Sequence, residues 1–288
     1  MAERSRFRFH CIDDGVPEET TTTLRSACLV RGIEYVTVDA QRFDFSTARP
    51  LGKSDLMYRP AASWLAMRVE QALYSGDVTT FYGNDWGIFH DCLLPPLLFE
   101  RAGLAMPRTV YAATPDRAAL RRYVAWLGGF PIVAKWLGHA RGVAVLRVDS
   151  MAALFSLMDY AGAGGIPPLL CEYIADATHF RLIVLGSRVV AAYRNAQAAD
   201  DFRSHGSDDP ADYRIPVEPA MAELALAAAR VLEVETAGVD ILRRPDGRLF
   251  LLEANFPCYF AQAQTIIGTD IAGMMVDHLL QKAEAASN

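Results

Sequence analysis

Short apolar runs alternate with amphipathic stretches from the start of the chain, and their spacing predicts strands alternating with helices. Residues 7–12 and 33–38 read as strands on either side of an amphipathic helix over 18–31 that Gly32 closes. This βαβ-like opening is followed by a short strand over 55–59 and a helix over 64–74. Near residue 80 the texture changes. Residues 89–102 read as helical despite Pro95-Pro96, Pro107 breaks the chain, and 116–127 forms another helix. From Phe130 onward strands dominate, interrupted by helices over 151–160, 219–232 and 271–283. The apolar runs 182–185 and 189–193 bracket Gly186-Ser187-Arg188 as a hairpin, and the stretch 197–211, rich in Asp, Ser, Gly and Ala, reads as a mobile loop.

Composition sets few limits on this picture. At 288 residues, 52% hydrophobic and 22% charged, the chain can build a large core and two or three subdomains. A net charge of -6 argues against nucleic acid or an anionic membrane as the main partner. No apolar run approaches the length of a membrane span, and the start does not read as a signal sequence, so a cytoplasmic location is the default expectation. The five cysteines are scattered without Cys-x-x-Cys spacing, which points to a reducing compartment and away from structural zinc.

The first chemical feature is a pair of carboxylates in what reads as one hairpin. Residues 239–242 and 249–255 flank Arg244-Pro245-Asp246-Gly247, a strong turn sequence. A two- or four-residue connection sets Asp240 directly opposite Glu253, with Asn255 on the same face. Like charges directly opposite destabilise a sheet, and two carboxylates with an amide oxygen are hard ligands suited to Mg²⁺ that also holds phosphates. A three-residue connection with a glycine bulge instead shifts the register by one and sends the carboxylates to opposite faces.

Two further features are weaker by themselves. A strand over 130–135 ends in Lys135 beside a glycine-bearing turn, an arrangement that can place an ammonium and backbone N–H groups around phosphates. A lysine closing a strand is also a common solvated gatekeeper, and the P-loop pattern is absent. The second is an arginine set: the 182–193 hairpin carries Arg181 at one end and Arg194 at the other, and Arg203 follows in the loop, so three guanidiniums can converge on an anion.

Together these residues resemble the ATP-grasp superfamily, in particular RimK-type and glutathione-synthetase-like ligases. The resemblance runs from about Phe89 to Asp277 in consistent order. His90-Asp91-Cys92 with Gly103 and Pro107 is similar to the family's Asp-Lys helix and Gly-x-x-x-Pro. Phe130-Pro131-Ile132-Val133-Ala134-Lys135 with Gly142-Val143 resembles its phosphate-covering hairpin, and Cys171-Glu172-Tyr173-Ile174 its adenine linker. Phe202-Arg203-Ser204 resembles the Phe-Arg-Ser element. Gly238-Val239-Asp240-Ile241-Leu242 with Leu252-Glu253-Ala254-Asn255 resembles the metal hairpin. The resemblance implies an α/β (α+β) ATP-grasp fold. A small N-terminal βαβ-like domain, residues 1–80, would be followed by two α+β subdomains, 81–175 and 176–288, that clamp ATP between them.

The resemblance also implies roles. Lys135 would contact ATP phosphates, and Glu172, Tyr173 and Ile174 would fix adenine, largely through backbone groups. Asp240, Glu253 and Asn255 would hold one or two Mg²⁺ ions, with Mn²⁺ as an alternative. Arg194 and Arg203 would face the transferred phosphoryl group, with Ser204 on the nucleotide and Arg59, Arg181 and His205 on the substrate side. The implied reaction is attack of a carboxylate on the γ-phosphate, giving ADP and an acyl phosphate that an amine captures.

The chain departs from the family pattern at four places. Cys92 stands where many relatives have a second ATP-contacting lysine. His179 replaces the ribose-contacting Asp, with Asp176 nearby as a substitute. His205-Gly206 replaces the usual Asn, and Phe256-Pro257-Cys258-Tyr259 a small Ser- and Gly-rich segment, where Phe256, Tyr259 and Phe260 would shape an acceptor pocket or pack. The expected activity is ATP-dependent joining of an amino-acid or peptide carboxylate to an amine in specialised biosynthesis. The alternatives are a carboxylate–thiol ligase loading a carrier protein, a phosphotransferase, and a nucleotide-binding module without catalysis. Self-association is compatible with the sequence.

Overall fold

The computed structural model describes residues 7–92, 94–136, 144–164 and 166–287. The opening forms as its pattern predicts. Strands β1 (Arg8–Asp13), β2 (Glu34–Asp39) and β3 (Asp55–Tyr58) make a parallel sheet in the order β2-β1-β3. Helix α1 (Glu18–Val30) carries Glu18 and Glu19 in its first turn, where acidic groups complement the helix dipole, and Gly32 turns the chain at φ +66°. Helix α2 (Trp64–Leu73) is capped by Ser63, whose hydroxyl accepts the Ala66 N–H at 3.1 Å.

The next segment differs from the single helix expected over 89–102. A 3-10 turn at Gly87–Cys92 and a short α3 (Pro95–Arg101) take its place, because Pro95 and Pro96 are tolerated only in the first turn of a helix. The antiparallel sheet that follows comprises β4 (Thr109–Val110), β5 (Ile132–Lys135), β6 (Val145–Val148) and β7 (Leu169–Glu172) in the order β4-β7-β5-β6. Helices α4 (Arg117–Leu127) and α5 (Met151–Gly164) accompany it. Asp116 caps α4 by accepting the Ala119 N–H at 2.6 Å, and Gly128 ends it at φ +101°.

The C-terminal sheet is also antiparallel. It is built from β8 (Thr178–Leu185), β9 (Arg188–Arg194), β12 (Thr236–Arg243) and β13 (Leu249–Asn255) in the order β13-β12-β8-β9, and α6 (Pro219–Val231) packs across all four strands. Between them β10 (Ala196–Gln197) and β11 (Ser204–His205) form a small ribbon. The chain ends in α7 (Ala261–Ile267), which the sequence pattern missed, and α8 (Ile271–Ser287).

The turn of the β12–β13 hairpin is the three-residue kind. Arg244 N–H bonds Arg248 O at 2.9 Å and Gly247 sits at φ +86°, so Arg243 pairs with Leu249 and Ile241 with Leu251. That register would separate the two carboxylates. A bulge between Asp240 and Ile241 passes over Leu252 and restores the pairing of Asp240 with Glu253 and Gly238 with Asn255. The expected juxtaposition is present, reached through a turn and a bulge together.

Buried apolar side chains fall into clusters that cut across the linear order. The largest contains Phe9, Leu24 and Tyr58 from the N-terminal sheet together with Leu182, Val239 and Leu279 from the C-terminal region. The connecting segment is fixed to that combined body: Lys282 donates to Thr80 O, Tyr82 O and Glu235 Oε2, and Glu235 N–H bonds Phe81 O. The central sheet has its own cluster, with Leu120, Leu127, Ile132, Leu154 and Leu170. Among the described residues no helix is long and apolar enough to cross a membrane. Leu120 is fully buried, so Leu120→Ala should destabilise the central core by about 2–5 kcal/mol. Hydrogen exchange should then rise in β4–β7 and leave β8, β12 and α8 protected. Uniform loss of protection would show the two cores to be one.

Candidate active site

Four residues form one row across the C-terminal sheet. Glu253 on β13 pairs with Asp240 on β12, Asp240 with Arg181 on β8, and Arg181 with Tyr193 on β9. Asp240 is buried, 3% exposed, and burial alone would push its carboxyl up. The adjacent Arg181 guanidinium, with Nε 2.8 Å from Oδ1, and His179, with Nε2 3.1 Å from the same oxygen, reverse this and hold it at about 2. Neither contact to Oδ1 is aligned as a hydrogen bond, so this buried oxygen has the Arg181 guanidinium and the His179 ring close by and no directed donor among the described residues.

Glu253 differs from its partner. Its side chain reaches solvent, yet it stands among crowded protein groups. Desolvation there, and then the Asp240 charge, raise its carboxyl above the ordinary value. Asn255 donates through Nδ2 to Glu253 Oε1 at 2.7 Å. Gly238, opposite Asn255, is required by the guanidinium: a Cβ there would lie 2.2 Å from Arg181 Nη1. The energetic case for a metal therefore shifts. Arg181 already neutralises Asp240, and the uncompensated charge is that of Glu253. A directionless Oδ1, a raised carboxyl and an amide still suit a hard divalent cation completed by phosphate oxygens. By themselves they are too few, and among the described residues no cluster of three or more His, Cys, Asp or Glu is built to hold a metal.

Lys135, at the end of β5, is near enough for its charge to oppose the rise of the Glu253 and Cys171 groups, both of which desolvation holds above their ordinary values. Beside it Val133, Leu169 and Cys171 form a small apolar cluster with Val145, Tyr173 and Phe202. Phe202 comes from the C-terminal region and meets Tyr173 edge-on at 6.5 Å. This apolar wall has the chemistry of a base-binding surface. Glu172 itself points elsewhere: its carboxylate accepts from Arg108 Nε at 2.9 Å and its N–H bonds Arg108 O. Ile174 is buried, and Asp176 is exposed in a left-handed turn at φ +56°.

The remaining expected residues are placed as follows. His179 bonds Ser204 Oγ through Nδ1, so both side chains brace the floor of the row. Arg203 forms a fork with Asp201, whose partly buried carboxyl is lowered to about 2 by that partner. Arg194 donates to Asp212 through Nε at 2.6 Å with its guanidinium half exposed, and His205 is exposed beside Ala196. The loop expected to be mobile is partly anchored. Ser207 and Asp212 are buried, joined by a short hydrogen bond, and Tyr213 stacks on Tyr193 at 4.6 Å.

Arg59 departs most from its expected place on the substrate side. Its side chain is 1% exposed and ion-paired to Glu70, so in this structure it reaches no open surface. Phe256 and Phe260 are core residues, and Tyr259 alone of the three aromatics is exposed, with its hydroxyl donating to Glu19 at 3.1 Å. The side chain of Cys92 and the segment holding Gly142-Val143 lie outside the described residues. Sequence reasoning missed the Asp212–Ser207–Arg194 clasp and the Glu19–Tyr259 contact, for which no local pattern exists.

The row predicts opposite stability effects for its two carboxylates in metal-free protein. Asp240→Asn strands a mostly buried guanidinium and should cost about 3–5 kcal/mol in urea unfolding with EDTA. Glu253→Gln removes repulsion and should be neutral or stabilising by up to about 1 kcal/mol. Because the folded Glu253 carboxyl is raised, the native state holds its proton more tightly. Wild-type stability should therefore decline as pH rises through the range where Glu253 ionises, and Glu253→Gln should flatten that slope. A destabilised Glu253→Gln would contradict this placement of charge.

Residues 92–279 match the RimK-like ATP-grasp domain family. A probable alpha-L-glutamate ligase of Parasynechococcus marenigrum is 34% identical over 195 residues, 67% of this chain and 41% of that protein. Probable alpha-L-glutamate ligase 2 of Pseudoalteromonas atlantica is 31% identical over 189 residues, 65% of this chain and 62% of its own length. The chain thus spans less than two thirds of these relatives. Among solved structures, the ATP-grasp ligase PsnB complexed with minimal precursor, Mg and ADP superposes with a TM-score of 0.70 at 19% identity, covering 96% of this chain and 98% of that one. The fold is the α/β ATP-grasp fold, and the chain belongs to the RimK-like ATP-grasp family.

Proposed function

We propose that this protein is an ADP-forming ligase that activates a substrate carboxylate as an acyl phosphate and joins it to an amine. The observation that carries the reading is the register that pairs Asp240 with Glu253 and Gly238 with Asn255, with the charge of Lys135 acting on Glu253 and the apolar cluster of Val133, Leu169 and Cys171 on the sheet that carries Lys135. ATP fits between them, with the base on Val133, Leu169 and Tyr173 and the phosphates toward Lys135. Mg²⁺, held by Asp240, Glu253 and Asn255, would neutralise phosphate charge so that an anionic carboxylate can approach. Arg181 keeps Asp240 ionised, whereas the Glu253 carboxyl is raised by desolvation and the Asp240 charge, so Glu253 is the ligand that added positive charge from a bound cation would bring to its anionic form.

Arg194 ends β9 and Arg203 immediately precedes β11. Each is held by one carboxylate, Asp212 and Asp201. In the proposed reaction they face the transferred phosphoryl group and the carboxylate, where a planar fork recognises oxygen pairs that an ammonium cannot match. The peptide and glutamate chemistry of the similar proteins supports an amino-acid or peptide carboxylate as substrate and an amine as acceptor. Loading of a carrier thiol and plain phosphoryl transfer are distinguished by their products.

The test is ADP release against amino acids, dipeptides and carrier proteins, with mass spectrometry of the products. ADP release with an amide product is expected; a phosphorylated acceptor or thioester would replace this reading. Folded Glu253→Gln should retain less than about a tenth of wild-type turnover at saturating Mg²⁺, a loss above about 1.4 kcal/mol. Arg194→Lys and Arg203→Lys should abolish amide formation while a fluorescent ATP analogue binds within about threefold of wild type. Unchanged kinetics in both arginine variants would remove the phosphoryl-side assignment.

A further inference from the structure

Among the fully buried side chains the largest is a charged one. Arg59 follows β3 in the N-terminal sheet, is 1% exposed, and pairs through Nε with Glu70 Oε2 at 2.7 Å, while Nη1 donates to Ala61 O at 2.6 Å. Glu70, on α2, is 2% exposed and also accepts the Tyr82 hydroxyl at 2.8 Å on that same oxygen. A buried ion pair of this kind is weak evidence for stability, since apolar side chains of similar volume commonly serve as well. Its neighbour gives it a different meaning. The Arg59 guanidinium lies 5.8 Å from the centre of the Phe256 ring, the Tyr82 ring 5.2 Å and the Tyr58 ring 6.1 Å from it. Tyr58 also donates its hydroxyl to Cys258 O at 3.3 Å.

Phe256 is the residue after Asn255. Three side chains of the N-terminal body therefore surround the first residue beyond the corner where Asp240, Glu253 and Asn255 meet, and a fourth contact holds the backbone two residues further on. A cation facing an aromatic ring has an orientation preference that an alkyl group lacks. The guanidinium itself is fixed by a carboxylate and a carbonyl, so the ring it faces is held by groups that cannot rotate freely. Rigid outer support of this type is what gives a ligand group its place.

We propose that Arg59, Glu70 and Tyr82 are positioning residues that act through Phe256 to hold Asn255, and with it the divalent-metal corner, in the geometry that binds Mg²⁺ with nucleotide. The proposal rests on the metal assignment made above. It gives the N-terminal body a part in the metal site although none of its side chains touches metal or phosphate.

The decisive variant is Arg59→Met/Glu70→Met/Tyr82→Phe, which removes both charges and the hydroxyl at nearly constant volume. Mn²⁺ binding in the presence of ADP, read from the EPR signal of free Mn²⁺, should weaken about tenfold or more, while a fluorescent ADP analogue in EDTA binds within about twofold of wild type. The thermal midpoint should be close to that of wild type. A folded variant with unchanged Mn²⁺ affinity overturns the proposal. So does a variant that loses ADP binding in EDTA to the same degree, which is the mark of a general structural role. If the triple variant does not fold, Phe256→Leu, which removes the ring and keeps an apolar side chain, is read by the same two measurements and decides in the same way. Asn255→Ala separates the two levels. Undiminished Mn²⁺ affinity there rejects the metal assignment and this inference with it, whereas weakened affinity in Asn255→Ala alone rejects only the positioning role.

Discussion

The contact between Arg181 and Asp240 sets the terms for everything around it. A carboxylate 3% exposed in the middle of a sheet is untenable without a cation, and β8 supplies one in the directly paired position. That choice propagates. The guanidinium occupies space a side chain at position 238 would need, which fixes glycine there, and Cys258 fills the other side of the same gap. His179, further along β8, adds a second contact to the same oxygen and passes the constraint to Ser204 in the β10–β11 ribbon. The row thus stores a full negative charge at Asp240 and leaves Glu253 as the group whose ionisation is resisted. Added positive charge in the cleft, from Lys135 or from a bound cation, then has most effect on Glu253.

How the two cores are divided explains why such a row can serve a cleft. The N-terminal sheet and the C-terminal sheet share one apolar cluster, with Lys282 and Glu235 tying the connecting segment down. The central sheet has its own cluster and meets the rest through Ala105 O, bonded by Leu251 N–H at the β13 edge, and through Phe202 against Tyr173. Groups that must stay in fixed relation, the carboxylate row and its supports, lie in one body. Lys135 and the apolar wall lie in the other. A separation of cores along this line permits relative motion about the cleft without disturbing the row.

Much of this was legible in the chain because it depends on local chemistry. Helix starts at Ser63 and Asp116, stops at Gly32 and Gly128, and the strands with their apolar runs follow from capping and periodicity, and they form close to where the pattern sets them. The pairing of Asp240 with Glu253 was legible for a reason only half right. The turn at Arg244 to Arg248 is of the kind that breaks the pairing, and a bulge that passes over Leu252 repairs it. The run Leu249-Phe250-Leu251-Leu252 has no alternation from which to read a bulge. Helix α7 was missed because seven residues give too short a period, and the Asp212–Ser207–Arg194 clasp because its members meet only in three dimensions. Arg59 shows the same limit from the other side. An arginine at a strand end is by composition a surface or ligand-binding group, and nothing in its neighbours in sequence announces Glu70 and Tyr82 as partners.

Two arginines, Arg59 buried and Arg181 partly exposed, bear on the same corner, and their partners differ in kind. Arg181 neutralises a residue that itself belongs to the proposed metal set, so its charge tunes that ligand directly. Arg59 is neutralised by Glu70, and its guanidinium lies over the Phe256 ring. A charge already balanced has little long-range field to offer the cleft. What it retains is rigidity: hydrogen bonds to Glu70 and to Ala61 O, and a flat group over a ring. The first arginine therefore works through electrostatics and the second through geometry. A lysine in either place would keep the charge and lose the fork. At 181 it would still lie beside Asp240, but at 59 it would abandon the only property the site has left to use.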